Sequence, residues 1–457
     1  MNPQLSRKQD LDAPASPGES PASRSVGRPL WVGGFVLLLI TLAAYAPAMK
    51  AGFFWDDREY LYEADGDVIV DKNKEGGLRK IWWTTAPPQY YPLVFTSFRL
   101  EYRIWGLDKN DPKNPRYAVG YHVTNILLHA AVAVLAWLIL RKLGVPGAWF
   151  AAAIFALHPE NVQSVAWITE RKNTLSGLFY MVSVLCCLKF SDRDGWRYYL
   201  IGLAAFVLAV LSKTSVVSLP IAVLLLLWLR KQVRLPELAV LLPSVVAIGA
   251  GAVVLSVWLA WRIHLTPADR FALIALPLGA LAIGLLIARR RRFFPLPVVL
   301  GLIPMVMLGW FMGRLVGWYE FHREKEEYAV AGAMPIGQAM KLAWMEGEEA
   351  KNRSGYDITG PQRVLLASRA LLHYAKKLVI PYPLSVFYYR WSLEPGGELD
   401  AGIIANYQPV ALVLAVGIAA ILLSVRYGRG IIIGFAFFVA TIFPALGFFD
   451  LYIMRYS

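Results

Sequence analysis

Long apolar runs separated by short polar turns make up most of the sequence after residue 29. Several of these runs reach the ~20 residues that an α-helix needs to cross a bilayer. The pattern therefore predicts an all-α polytopic membrane protein with about eleven transmembrane helices. The predicted spans lie near residues 30–49, 119–140, 146–160, 174–190, 198–212, 214–229, 237–260, 271–288, 295–317, 408–425 and 431–449.

Lys and Arg cluster in every second turn between the predicted spans. Because cytoplasmic loops are enriched in these residues, the basic turns and the N-terminus are predicted to face the cytoplasm. Two long loops, near 50–118 and 318–407, then lie on the outer face. The basic turns contain Arg141 and Lys142, Lys189 to Arg197, Arg230 to Arg234, Arg289 to Arg292, and Arg426 to Arg429.

The polar segment 1–29 is rich in Pro, Ser and Gly and is predicted to be a disordered cytoplasmic tail. Residues 30–457 form the predicted membrane domain. Within its second outer loop, residues 363–379 have helical periodicity but carry too many charges to span easily, so we predict an interfacial helix there.

The composition agrees with a membrane protein, since 57% of the 457 residues are hydrophobic and only 17% are charged. The net charge of +14 is spread over short clusters between apolar runs. We therefore assign it to topology and to contacts with anionic membrane lipids, not to nucleic acid. The two cysteines are adjacent within an apolar run and are too few for a zinc site or a disulfide framework.

An acidic pair, Asp56 and Asp57, follows the first predicted span directly and is followed by Arg58 and Glu59. Carboxylates at a membrane boundary can stay ionised and meet a substrate whose tail lies in lipid. One interpretation is the catalytic edge of a membrane enzyme; the other is an aromatic belt followed by solvated loop charges. Adjacent carboxylates also suit Mg²⁺ or Mn²⁺, but the ligand set in the sequence is incomplete, so a metal stays open.

Four further polar groups are predicted on the same outer face. Their candidate residues are Arg99; His122 with Asn125 and His129; His158 and Glu160 with Glu170, Arg171 and Lys172; and Lys213. The histidines and Asn125 are spaced i, i+3, i+7 and share one helical face.

Each group also has a structural interpretation. The α-helical histidines can simply hydrogen-bond neighbouring helices, although polar residues inside a membrane are costly and tend to be functional. His158-Pro159 can be a helix end, and residues 170–172 can be a solvated turn. Lys213 lies between two apolar runs with almost no loop, where snorkelling is the alternative.

Together these groups suit transfer from a lipid-linked phosphate. Lys and Arg at the membrane surface can neutralise the phosphate. A carboxylate can deprotonate an acceptor hydroxyl as general base, or stabilise positive charge on a sugar ring, as in glycosidases.

The chain resembles the multi-spanning GT-C glycosyltransferases, and most of all the transmembrane and tetratricopeptide-repeat O-mannosyltransferases and their bacterial relatives. The most specific block is HPENVQSVAWITERKNTLSGLF, within 145–180. The other carrying blocks are FFWDDREY at 53–60, YYPLVFTSFRLEYRIWG at 90–106, YHVTNILLH at 121–129, LSKTSVVSLP at 211–220 and LLHYAKKLVIPYPLSVFY at 371–388.

The resemblance implies a GT-C-like bundle and an inverting transfer from a polyprenyl-phosphate sugar to a protein or glycan hydroxyl, outside a bacterial inner membrane. It implies that Asp56 or Asp57 is the catalytic base, with a slight preference for Asp56. Arg171, Lys172, Lys213 and Arg99 are then donor-phosphate candidates. Arg58, Glu59, His122, His158, Glu160 and Glu170 complete the candidate site.

The sequence departs from the family in two places. No 34-residue helix pairs typical of tetratricopeptide repeats are found, so the chain is either truncated before them or a form without them. Residues 262–334 also show little family signature. The competing functions are a transporter or flippase of lipid-linked sugars, which would predict repeats and broken helices at midplane, and a non-catalytic homologue.

Overall fold

A computed structural model of the chain describes residues 30–61, 77–84, 87–107, 111, 114–192, 194–230, 301–309, 312–313, 315–316, 360–385 and 407–446. The helices with defined bounds are α1 (Leu30–Tyr45), α2 (Asp56–Leu61), α3 (Gly77–Trp83), α4 (Pro92–Trp105), α5 (Pro115–Lys142), α6 (Ala148–Leu157), α7 (Val162–Ala166), α8 (Arg171–Ser191), α9 (Trp196–Val210), α10 (Leu219–Leu229), α11 (Gly360–Val379), α12 (Gln408–Tyr427) and α13 (Gly430–Ile442).

The all-α polytopic prediction is confirmed. Within the described part of the chain, four helical segments are long and apolar enough to cross a bilayer: Leu30–Lys50, Pro115–Lys142, Arg171–Ser191 and Gln408–Tyr427. Eight of the predicted spans fall on α1, α5, α6, α8, α9, α10, α12 and α13, and residues 301–309 are helical within a ninth. The spans predicted near 237–260 and 271–288 lie outside the described residues, as does the tail 1–29.

Prolines explain where the apolar pattern misplaced two helix ends. The span predicted near 146–160 stops at Leu157, because the residue before Pro159 is driven out of the α-region. The span predicted near 214–229 starts as a 3₁₀ turn, Thr214–Ser218, and becomes α-helical only at Leu219, next to Pro220.

The core lies between α8, α9 and α10. Phe206 and Val210 of α9 pack there against Leu188 of α8 and Val223 of α10, all of them buried. The long helix α5 packs against α1, α6 and α8. The bundle therefore brings one end of α5, α6, α8 and α9 to a common surface.

An ion triad marks the opposite end of the bundle. Asp192, after α8, accepts from Lys142 of α5 at 2.5 Å and from Arg230 after α10 at 2.7 Å. Three of the turns predicted to share the cytoplasmic side thus lie together. The outer candidates are consequently gathered at the other end.

The outer segment predicted as a loop near 50–118 contains helices α2, α3 and α4 in its described part. Helix α4 is amphipathic and buries Phe95 and Phe98 against Tyr121 of α5 and Ile168. A second apolar cluster therefore packs against the segment that contains the predicted outer-face candidates. The interfacial segment predicted at 363–379 is helical as well, as α11.

Candidate functional site

The acidic pair begins a short helix immediately after a strained residue. Trp55 has φ of 50°, in the left-handed region that a bulky residue rarely adopts. Helix α2 then starts at Asp56. Such outliers persist only where surrounding contacts impose them and tend to occur at functional sites.

The contacts of Asp57 hold the backbone around Trp55 in this conformation. Its side chain is fully buried, and its two carboxylate oxygens accept from the backbone N–H of Phe54 at 3.2 Å and of Thr169 at 2.9 Å. Burial raises the pKa of Asp57 to about 7, although both N–H bonds act in the opposite direction. Asp57 therefore ties the acidic loop to the turn that precedes α8.

Asp56 differs from its neighbour in surroundings. It is half-buried, at the first position of α2, and its charge interacts with the ammonium group of Lys172. It thus lies at the boundary between the acidic loop and the start of α8, within reach of solvent.

Aromatic rings cover the other side of the acidic loop. Phe54 and Trp55 both stack on Trp167, with ring centroids 5.3 Å and 5.7 Å apart. Phe54 and Trp55 remain 45% and 50% exposed. The three rings therefore form a partly exposed aromatic surface along one side of the acidic loop.

A cationic cluster forms where α8 starts and where α9 ends. Lys172 Nζ lies 3.0 Å from Glu170 Oε1. Asn173 donates to Glu170 Oε2 and to Ser164 Oγ, while its Oδ1 accepts from Lys213 Nζ at 2.5 Å. Five side chains from three segments of the chain are thus joined into one network.

The network controls the charge on Glu170. Burial alone would raise its pKa, but the ammonium groups of Lys172 and Lys213 outweigh burial and hold the pKa of Glu170 below its usual range. Glu170 therefore stays ionised, and the site contains two lysines with one permanent counter-ion.

Arg171 points away from this cluster into the protein. It is fully buried, and its guanidinium donates to Glu101 Oε2 at 2.6 Å and to the Tyr121 carbonyl at 3.0 Å. Its Nε also donates to Asn125 Oδ1. Arg171 therefore fastens α8 to α4 and α5.

Arg99 is also buried, in α4, with its guanidinium against Gly77 at the start of α3. A β-carbon on Gly77 would come within 2.5 Å of the guanidinium carbon. The observed contact thus packs α3 on α4, and phosphate binding by Arg99 stays a prediction.

The predicted histidines occupy three places. His122 is fully buried in α5, facing the backbone of Ala51 and Ala166, and His129 lies 3.1 Å from the Ala156 carbonyl. His158 accepts from the Glu160 N–H through Nδ1 and contacts the Leu378 carbonyl at 3.1 Å through Nε2.

The His158 contacts join the end of α6 to α11. Glu160 interacts electrostatically with His373 of α11. His158 and Glu160 therefore belong to this junction. Arg58 and Glu59 lie in α2, but their side chains are outside the described residues.

Sequence reasoning gave no role to two polar contributors. Thr169 offers its backbone N–H to Asp57, which no side-chain pattern can reveal. Asn173 connects Glu170 to Lys213, and its place in the run TERKN, beside three charged candidates, was the available signal.

Among the described residues, no three His, Cys, Asp or Glu side chains are grouped to hold a metal ion.

The buried carboxyl of Asp57 predicts that the stability of the fold depends on pH. Because its pKa in the folded state is about 7, against 3.8 unperturbed, folding favours the protonated form. This stabilisation is complete below about pH 4 and disappears as the pH rises through 7. Unfolding temperature in detergent should thus rise from pH 8 to pH 5. In Asp57→Asn this slope should flatten; an unchanged slope would assign it to another group.

Comparison with known proteins places these contacts in a family context. The sequence model of a family described as dolichyl-phosphate-mannose-protein mannosyltransferase matches residues 118–261. Protein O-mannosyl-transferase Tmtc1 of Drosophila melanogaster is 27% identical over 188 residues, 39% of this chain and 21% of that protein. Protein O-mannosyl-transferase tmtc2 of Xenopus laevis is 31% identical over 163 residues, 34% and 18% respectively.

Part of the chain is similar in sequence to protein O-mannosyl-transferases. Human TMTC4 is a further relative, 28% identical over 199 residues, 37% of this chain and 25% of that protein. The similarity thus spans about a fifth to a quarter of these O-mannosyltransferases' own length. No solved structure matches the chain.

The region matched by the mannosyltransferase family includes the cationic cluster, with Lys172 and Lys213, and the buried Arg171. The acidic pair precedes it along the chain. In the structure, Asp57 bonds to Thr169 within the matched region, so both parts of the candidate site form one unit.

Proposed function

We propose that the chain is a GT-C glycosyltransferase that moves a sugar from a polyprenyl-phosphate donor to a protein Ser or Thr hydroxyl. The observation that carries the proposal is the electrostatic interaction of Asp56 with Lys172, one of two lysines joined by a hydrogen-bond network. A base and phosphate-binding cations are thereby adjacent at one end of a membrane bundle. The sugar is taken as mannose, from the names of the relatives.

Lys172 and Lys213 bind the donor phosphate in this proposal. Their ammonium groups lie on one network through Glu170 and Asn173, and an ammonium group is a compact partner for phosphate oxygens. Arg171 is excluded from this role because its guanidinium is already engaged by Glu101, Asn125 and the Tyr121 carbonyl.

Asp56 is the general base. The acceptor oxygen attacks the anomeric carbon while the bond from that carbon to the phosphate oxygen breaks, which inverts the configuration. The hydroxyl proton passes to Asp56, and polyprenyl phosphate leaves on the two lysines. The pKa of Asp57, about 7, would suit a base, but its oxygens are enclosed and committed to backbone N–H groups.

The cellular setting follows the predicted topology. We place the N-terminus in the cytoplasm and the site on the outer face of a bacterial inner membrane, so the donor tail lies among lipids and the acceptor arrives from outside. The charged residues of the site lie at one end of the bundle, which favours this enzyme over a transporter with a midplane site.

Neutralising Lys213 tests the phosphate assignment. In Lys213→Met we expect the KM for the donor to rise on the order of tenfold or more, because one charge-assisted hydrogen bond to phosphate is lost. Lys213→Arg should keep most of the affinity. Lys189→Met, which removes a lysine near the other end of α8, is the matched control. Equal KM values in Lys213→Met and wild type would refute phosphate binding by Lys213.

The acceptor class is tested by following the sugar. Membranes containing the chain receive a polyprenyl-phosphate donor with radiolabelled mannose, and protein is recovered and treated with alkali. We expect label in protein that alkaline β-elimination releases, as for sugars on Ser or Thr. Label that moves only to glycan or to water, with donor consumed, would contradict the protein acceptor.

A further inference from the structure

The phosphate site of the proposed function contains its own anion. Glu170 Oε1 lies 3.0 Å from Lys172 Nζ. Its Oε2 accepts from the amide of Asn173, whose Oδ1 accepts from Lys213. The carboxylate thus neutralises part of the charge that a phosphate would meet, and both lysines hold it ionised.

Glu170 is held in place by more than its charge. It directly precedes α8, where its backbone carbonyl accepts from the Asn173 N–H at 2.7 Å. The side chains of Lys172 and Glu170 are only 10% and 13% exposed, so water screens their interaction weakly. A ligand on these lysines therefore interacts with Glu170 at short range.

The charge of the ligand changes during the proposed reaction. The donor is a phosphodiester with one negative charge, whereas a released phosphomonoester carries about −1.5 to −2 at pH 7. Before transfer the two lysines, Glu170 and the ionised Asp56 sum to zero charge. Asp56 also faces Lys172, but it takes up the acceptor proton, so Glu170 is the carboxylate that keeps its charge throughout.

We propose that Glu170 is a built-in counter-ion that sets the preference of the site for phosphodiester donor over phosphomonoester product. It repels the doubly charged product more strongly than the singly charged donor. Glu170 is therefore a positioning and specificity residue that promotes product release. This inference rests on the proposed function, since it needs Lys172 and Lys213 to bind the donor phosphate.

Ligand binding measured without turnover tests the counter-ion role of Glu170. The full chain in neutral-lipid nanodiscs is titrated with farnesyl phosphate, a monoester, and with its methyl ester, a diester. In Glu170→Gln we expect the monoester to bind on the order of tenfold more tightly and the diester to gain by a smaller factor. Gln keeps the side-chain volume and an oxygen for the Asn173 amide, so the network can persist.

Two further variants complete the test: Asn173→Asp should reverse the sign of the effect, and Asp194→Asn is a control. Asn173→Asp adds a carboxylate beside Lys213, so we expect weaker monoester binding. Asp194→Asn makes the same charge change as Glu170→Gln in the exposed turn after α8, and both affinities should match wild type. A merely structural role of Glu170 would weaken both ligands, because nothing else in that change would tighten one of them.

The outcomes separate the inference from the function. Unchanged or weaker monoester binding in Glu170→Gln overturns the counter-ion role and leaves the enzyme proposal standing. If wild type binds neither ester, the lysine site itself is wrong and both fail. Inorganic phosphate should bind more weakly than farnesyl phosphate in every variant; equal affinity would overturn the assignment to a lipid-linked phosphate.

Discussion

Asp56→Asn should lower the turnover number by a factor on the order of a hundred to ten thousand, the range for loss of a general base. Asn has nearly the same shape but cannot accept the acceptor proton. Donor binding should change little, because the phosphate is held by Lys172 and Lys213. The measurement is kcat and donor KM for the purified chain on the donor that it consumes.

Asp57→Asn is the matched control for this prediction. It makes the same chemical change at the adjacent position, but its carboxyl is fully buried and bonded to the N–H groups of Phe54 and Thr169. We expect lower stability at low pH and a smaller loss of turnover. If Asp57→Asn abolished turnover while Asp56→Asn kept it, with both proteins folded, the two roles would be reversed.

Arg171→Met should produce the largest loss of stability, about 3–5 kcal/mol, the usual cost of removing one partner of a buried ion pair. Glu101, which is 6% exposed, would be left with an uncompensated charge, and Asn125 would lose its donor. Arg171→Lys should recover only part of the stability, since an ammonium group cannot reproduce the fork of a guanidinium. Thermal unfolding in detergent measures both.

The double variant Arg171→Met with Glu101→Gln identifies the cause. Removing the unpaired charge should restore part of the stability lost in Arg171→Met, whereas two independent packing losses would add. Additive losses would therefore contradict the ion-pair account. A wild-type unfolding temperature in Arg171→Met would contradict it outright.

The helices followed from the sequence because apolar runs of bilayer length admit few alternatives. Pro159 then shifted one boundary, because it holds His158 in an extended conformation, and Pro220, which has no backbone N–H, lies in the first turn of α10. Helix α4 was not predicted as an element of the outer loop. Its apolar residues Phe95 and Phe98 repeat at helical spacing, but Arg99 and Glu101 within the same run obscured the pattern.

The site was harder to derive because its key contacts link distant positions. Lys172 and Lys213 could be proposed from charge at a membrane boundary. Arg171 has the same charge and adjoins Lys172, yet it turns inward to Glu101, seventy residues earlier. Neighbours along a helix point in different directions, so only the packing of α4 and α5 against α8 distinguishes Arg171, which is bound to Glu101, from Lys172, which is bound to Glu170.

Donor cleavage by the purified chain tests the central claim most directly. Wild type and Asp56→Asn in nanodiscs are given a panel of radiolabelled polyprenyl-phosphate sugars, and both the free polyprenyl phosphate and the transferred sugar are quantified. We predict that wild type consumes at least one donor, with equal amounts of both products, and that Asp56→Asn does not. A folded wild type that consumes no donor, or an Asp56→Asn variant as fast as wild type, would contradict the account.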